Sequence, residues 1–315
     1  MVKNNKLKVG FSFNAISKKE ATDGKHQFLI RLARQMKKDG VVIDNKKPDV
    51  YLRLPREKIN KKAKLNVLRV DGLIMNTRWN YKVKNRKIKE SINISDAIIY
   101  QSGFCEEAYR KFLNIVNVPF SVIPNGADND EFLHRKPENF FLANSKWRPH
   151  KRLKETVKCF KRALELGLDA DLIVTGEPEK KYKHPRIKYV GWQSRGQLKK
   201  LMSQAIASMH LTWLDWCPNS MVEAIVARCP IIYTECGGHG EIGGGSGIGV
   251  KDKQWNFDLI DLYDPPKLNK KEVALAMIYM KNNKNENLYP KRDDLDIRCV
   301  SKKYIKFFNE LLKKQ

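Results

Sequence analysis

Short apolar runs rich in β-branched residues alternate with amphipathic stretches from one end of this chain to the other, and that alternation leaves few architectures open. Strands and helices that take turns along a chain build a parallel sheet with helices on its faces, an α/β arrangement. In the first half, residues 8–13, 49–54, 65–70, 97–100 and 120–123 read as strands. A helix is expected over 25–38, where Phe28, Leu29, Leu32, Ala33 and Met36 recur at helical spacing, and another over 103–112. In the second half, strands are expected at 140–143, 171–175, 187–190, 207–211 and 230–234. Helices should span 153–166, ended by Gly167, and follow the capping-box pattern of Ser194 and Gln197.

Residues 134–139 are polar, contain a proline and separate the two series. The expected domains are therefore 1–134 and 135–299, with a final helix in 300–315 packing back on the first. A length of 315 residues suits two domains of ordinary size, and 42% apolar residues suffice for two cores. Open α/β sheets bind ligands beyond the carboxyl ends of their strands, so the expected site is the cleft between the two halves.

The segment Asp215 to Glu241 carries the most chemistry. Pro218 lacks the N–H that a helix start leaves unpaired, and Asn219 or Ser220 can cap, so a helix should open there and run to about Arg228. Its first amides and positive end suit a phosphate. Glu223, read as part of that first turn, would crowd a phosphate unless it reached past it to a hydroxyl pair, as on a ribose joined to a diphosphate. A well-capped helix is the ordinary meaning of such a start, and the neighbouring segments decide the matter.

Lysine and arginine number 61 against 35 acids, a formal charge of +26 that favours acidic partners. Six cysteines show no metal spacing, so buried thiols in a reducing, cytoplasmic setting are expected. The basic start has too short an apolar part, interrupted by Asn14, for a signal peptide, and no run is long enough to span a bilayer.

Four segments recur in order with consistent spacing: VIPNGAD (122–128), SKWRPHKRL (145–153), DLIVTGEP (171–178) and DWCPNSMVEA (215–224). Together they resemble the GT-B glycosyltransferases of family 4, firmly over 97–250 and loosely over the first ninety residues. The resemblance implies two Rossmann-like parallel-sheet domains with an interdomain cleft, and transfer of a sugar, a hexose, from a nucleotide-diphosphate donor to a hydroxyl acceptor on a glycan or glycolipid. It implies retention of anomeric configuration without a metal or other cofactor. By the same resemblance Glu223 binds the ribose and Asp215, where the family more often has Glu, lies near the transferred sugar. Lys146 and Lys151 match the family's basic pair against the diphosphate, with Lys146 in place of the more usual Arg and Arg152 where glycine is common. Arg152, Asn219, Ser220, Gly237 and Gly238 fall among the donor-binding positions, and Gly24 on a glycine loop that is richer in the family. Asp71 is a candidate for the sugar or acceptor side, beside an ordinary Asx-turn reading. Base contacts are expected near 187–192.

Several rivals are weaker. The acid pairs at 128–130 and 169–171 invite a metal, but one follows a turn and the other starts a strand. The run GHGEIG (238–243) fits a dinucleotide fingerprint, yet a glycine-rich stretch follows it. Basic clusters at 56–64 and 82–89 read first as solvated lysine faces. They could hold the protein at an anionic membrane surface near a lipid-linked acceptor. Nucleic-acid or surface binding as the main function would leave the four ordered motifs unexplained, and an inactive GT-B scaffold would not retain Asp215, Glu223 and Lys151.

Overall fold

The structure is a computed structural model that describes residues 6–13, 24–129, 136–283 and 292–315. The chain forms two compact units, one of residues 1–127 with 294–315 and one of residues 128–293. The boundary expected at 134/135 lies outside the described residues, as does Asp130 of the first acid pair and the loop 14–23.

The first unit begins with β1 (Lys8–Phe11), α1 (Gly24–Lys38), β2 (Val42–Ile43), β3 (Val50–Arg53) and β4 (Leu65–Arg69). It continues through α2 (Tyr81–Asn93), β5 (Ala97–Tyr100), α3 (Gly103–Leu113) and β6 (Phe120–Val122). The six strands form one parallel sheet in the order β2-β1-β3-β4-β5-β6. Every residue of β4 and β5 is buried, as expected of strands covered on both faces. Ser102 caps α3 by accepting the Cys105 N–H, and left-handed Asn114 ends it.

The second unit comprises β7 (Phe140–Asn144), α4 (Leu153–Glu165), β8 (Asp171–Thr175), β9 (Ile187–Gly191), α5 (Arg195–Gln204), β10 (Ser208–His210) and α6 (Asn219–Val226). It ends with β11 (Ile231–Thr234), α7 (His239–Gly243), β12 (Gly247–Val250) and α8 (Lys270–Asn282). Its sheet is also parallel, in the order β12-β11-β10-β7-β8-β9. The strand order reverses between β7 and β10. The capping box at Ser194 and Gln197 is present at the start of α5.

The chain then returns to the first unit as α9 (Ile297–Lys313). Val300, Tyr304 and Phe308 of α9 join Phe28, Leu32 and Val67 in one core, and Ser301 donates to Asp39, just past the end of α1, at 2.6 Å. The second core gathers Phe141, Phe160, Leu172, Ile232 and Met277. Among the described residues no helix is long and apolar enough to cross a membrane.

Four points differ from the sequence reading. The basic run at 82–89, read as a solvated lysine face, forms most of α2, a helix capped by Asn80 that buries Asn85, Ile88, Ser91 and Ile92. Helix α8 carries its buried face on Val273, Ala274, Met277 and Met280 and was not anticipated. The run 238–243 itself turns into α7, and the glycines after it lead into β12. Glu223 is the fifth residue of α6, on its second turn rather than its first, because Pro218 is the N-cap and the helix starts at Asn219.

Candidate active site

Two loops leave the carboxyl ends of β7 and β10, the pair of strands at which the second sheet reverses direction. After β7 the chain passes Lys146, which is exposed, and tightens into a 3₁₀ turn over Pro149–Lys151. The Trp147 indole N–H donates to the Thr175 carbonyl at 2.7 Å, pinning this loop to the end of β8. After β10, the Trp213 N–H donates to the His150 carbonyl at 2.8 Å, which ties the second loop to the first. Leu214 takes a left-handed conformation (φ 56°) and presents Asp215.

The result is an ion pair, Lys151 Nζ to Asp215 Oδ2 at 2.6 Å, with side chains 18% and 21% exposed. The other carboxylate oxygen, Oδ1, accepts the Trp216 N–H at 2.8 Å. The turn after β11 closes on the same residue: the Gly238 N–H donates to the Asp215 carbonyl at 2.8 Å. Gly237 is left-handed (φ 62°), and a Cβ there would lie 2.8 Å from the Asp215 carbonyl oxygen. Helix α6 begins four residues after Asp215, so its positive end lies at Asn219 and Ser220.

Burial pushes the Asp215 carboxyl up, but Lys151, the His239 ring, the hydrogen bond from Lys151 and the His150 ring outweigh it and hold the group down at about 2. Three buried imidazoles belong to this neighbourhood. His150 is pushed down to about 3 by burial and by the charges of Lys151 and Arg148, against Asp215. His210 is lowered to about 3 by burial, His239 and Lys151, and burial lowers His239 as well. His150 Nδ1, His210 Nε2 and His239 Nε2 are buried without a hydrogen-bond partner, while His239 Nδ1 lies 2.7 Å from the Cys236 carbonyl.

Arg152 requires a correction. The sequence reading placed it among donor contacts, but its guanidinium is fully buried and forms a two-pronged pair with Asp252, itself 2% exposed, and donates to the Pro266 carbonyl at 2.8 Å. It also takes a left-handed backbone (φ 55°) to start α4. Asp252 Oδ2 further accepts the Cys236 thiol at 3.4 Å, so one carboxylate anchors the residue after Lys151 and the residue before Gly237. Neither Asp252 nor His210 sits in a local pattern that a sequence could reveal. Glu223 is partly exposed on α6. Asp169 and Asp171 carry Arg186 and Lys188, and Asp128 pairs with Arg195.

In the first unit, Gly24 is the first residue of α1. Asp71 follows β4 and pairs with the buried Arg69, which also donates to Asn125; Gln101 links both, donating to Asp71 at 3.3 Å and accepting from Asn125 at 3.0 Å. These residues stand at the carboxyl ends of β4, β5 and β6. Asp71 thus belongs to a side-chain network that no short motif signals.

No family model and no curated protein matches the chain. Solved structures do. Sucrose-phosphate synthase from Thermosynechococcus elongatus superposes with a TM-score of 0.71 at 10% identity, covering 98% of this chain and 100% of that one. HepE of Anabaena, solved with UDP-glucose, gives 0.65 at 12% identity over 98% and 99% of the two chains. The pneumococcal O-GlcNAc transferase GtfA, solved with UDP and GlcNAc, gives 0.63 at 13% identity, covering 92% of this chain and 60% of that one. At such identities the likeness is one of fold, and the two parallel six-stranded α/β units of this chain are those of the GT-B glycosyltransferases.

Proposed function

We propose that this protein is a glycosyltransferase of the family 4 kind, which binds a nucleoside-diphosphate sugar on its second unit and passes the sugar to a hydroxyl acceptor. The observation that carries the reading is the meeting of Lys151, Asp215 and the Gly237-Gly238 turn at the carboxyl ends of β7, β10 and β11, beside the reversal point of the sheet, where such folds bind ligands. The UDP-glucose and UDP complexes of structures sharing the fold support a nucleotide-sugar donor.

In this reading Lys151 and Lys146 take up the charge that builds on the leaving diphosphate, assisted by the positive end of α6 at Asn219 and Ser220. Glu223 holds the ribose hydroxyls, Asp215 orients the sugar, and the amides of Gly237 and Gly238 line the donor. Gly24 and the Asp71 network serve the first unit's share of donor and acceptor. Two lysines meeting the diphosphate make a metal unnecessary. The sugar is a hexose transferred with retention, the leaving phosphate helping to take the acceptor proton. The acceptor is a glycan or glycolipid in the cytoplasm or at its membrane face. One observation favours an anionic acceptor surface: Lys46, Arg56, Lys58, Lys61 and Lys62 ring a hollow of about 690 Å³ in the first unit.

The test is nucleotide release from a panel of UDP-, GDP- and ADP-sugars, with and without EDTA. One donor should be consumed at a rate that EDTA leaves unchanged. Glu223→Ala should lower kcat/KM for it by about 10- to 100-fold, the worth of charged hydrogen bonds to hydroxyls. Unchanged donor kinetics in a folded Glu223→Ala protein would sink the assignment.

A further inference from the structure

The ammonium of Lys151 already has an anion on it. Asp215 Oδ2 lies 2.6 Å away, and the carboxylate is not on a swinging arm: Oδ1 is held by the Trp216 N–H, and the residue's own carbonyl is held by the Gly238 N–H. Any phosphate approaching Lys151 therefore meets a positioned negative charge. Lys151 is the one cation that the described residues place in an ion pair with that carboxylate. Arg152, the next cation along the chain, is bound to Asp252, and the three neighbouring imidazoles are buried, which disfavours their charged forms. Lys146 is exposed, where solvent and salt weaken its field.

Building on the reading of the second unit as a nucleotide site, we propose that Asp215 competes with phosphate for Lys151 and thereby sets an affinity threshold, which a nucleoside diphosphate clears and phosphate or pyrophosphate alone does not. The competition subtracts a similar amount from the affinity of every anion that needs Lys151. An anion with further contacts survives the subtraction. A nucleoside diphosphate brings a ribose to Glu223 and a base to the rest of the site, and inorganic anions bring nothing more. The ratio of affinities stays as it was, but the inorganic anions fall below the concentrations at which they would occupy the site. The same antagonism is reciprocal: a diphosphate on Lys151 weakens the hold of Asp215, freeing its carboxylate for the sugar hydroxyls, and the carboxylate's return to Lys151 weakens the hold on the product diphosphate.

The experiment titrates UDP, GDP, ADP and inorganic pyrophosphate by calorimetry into the wild-type chain, Asp215→Asn and Asp215→Ala. Asp215→Asn keeps the shape and an acceptor for the Trp216 N–H, and Asp215→Ala removes the side chain, so a folding defect in one leaves the other to report. Thermal melts establish that each is folded. The nucleoside diphosphate that binds wild type should bind both variants about tenfold more tightly or better, and pyrophosphate should become measurable. Adding Lys151→Ala to Asp215→Asn should abolish the pyrophosphate binding. Affinities unchanged or weaker in both folded variants would overturn the competition while leaving the nucleotide site standing. Binding of no nucleoside diphosphate by wild type or variants would overturn the nucleotide-site reading, and the competition with it.

Discussion

His150, His210 and His239 sit at 7, 4 and 0% exposure around a lysine and a carboxylate, so their titration is a property of folding rather than of solvent. In the unfolded chain such rings take up protons near 6.5; in the folded chain His150 and His210 do so only near 3. Between those values the unfolded state binds more protons, so stability is full above 6.5 and falls as the pH drops toward 3. Asp215 acts in a lower window, its contribution lost only as the pH falls from 3.8 toward about 2. Melting temperature followed against pH should be level above pH 7 and decline from about 6.5 downward. His210→Leu should make that decline shallower, and an unaltered slope would assign it to other groups. Single residues were legible where a motif surrounds them, as with Lys151 and Asp215. They were not where the partner is remote: Arg152 was read among the donor contacts because Asp252, a hundred residues on, has no signature of its own.

At the scale of elements, the central strands were legible because burial on both faces makes them continuous apolar runs, and α1, α3, α4 and α5 because stripes, caps or closing glycines mark them. Helix α2 was not: its lysines mask a narrow stripe of Ile88 and Ile92, and burial of Asn85 and Ser91 completes the face with polar residues. Glycine-rich 237–245 read as a loop, though it holds α7. Within it the glycines are not equivalent. A Cβ at Gly237 would strike the Asp215 carbonyl in a left-handed backbone, whereas one at Gly240 meets nothing within 4 Å. Gly237→Ala should cost about 1–3 kcal/mol and displace Asp215, lowering the urea midpoint and changing nucleotide affinity. Gly240→Ala should leave the two within error of wild type. Equal effects would mean that the Gly237 turn does not position Asp215.

For the molecule as a whole, the two units differ in how the chain supplies them. Residues 128–293 are one continuous stretch with their own core and sheet, and expressed alone they should unfold cooperatively in urea and still bind nucleotide, more weakly by whatever Gly24 supplies. Residues 1–127 lack Val300, Tyr304 and Phe308 and should be poorly soluble until a peptide of 294–315 is supplied. A fragment 1–127 with a sharp melt of its own would show α9 to be dispensable. Two α/β series were plain in the sequence, and so was a last helix; the exact point at which the chain re-enters the first unit was not, since nothing in the local pattern at 293–297 distinguishes it from any capped helix. That return governs what happens on the ribosome. The apolar face of α1 is made before the helix that covers it, so for the time needed to synthesise 128–293, roughly 10–30 s at ~5–20 residues per second, a half-built core waits while the second unit is free to fold ahead of the first.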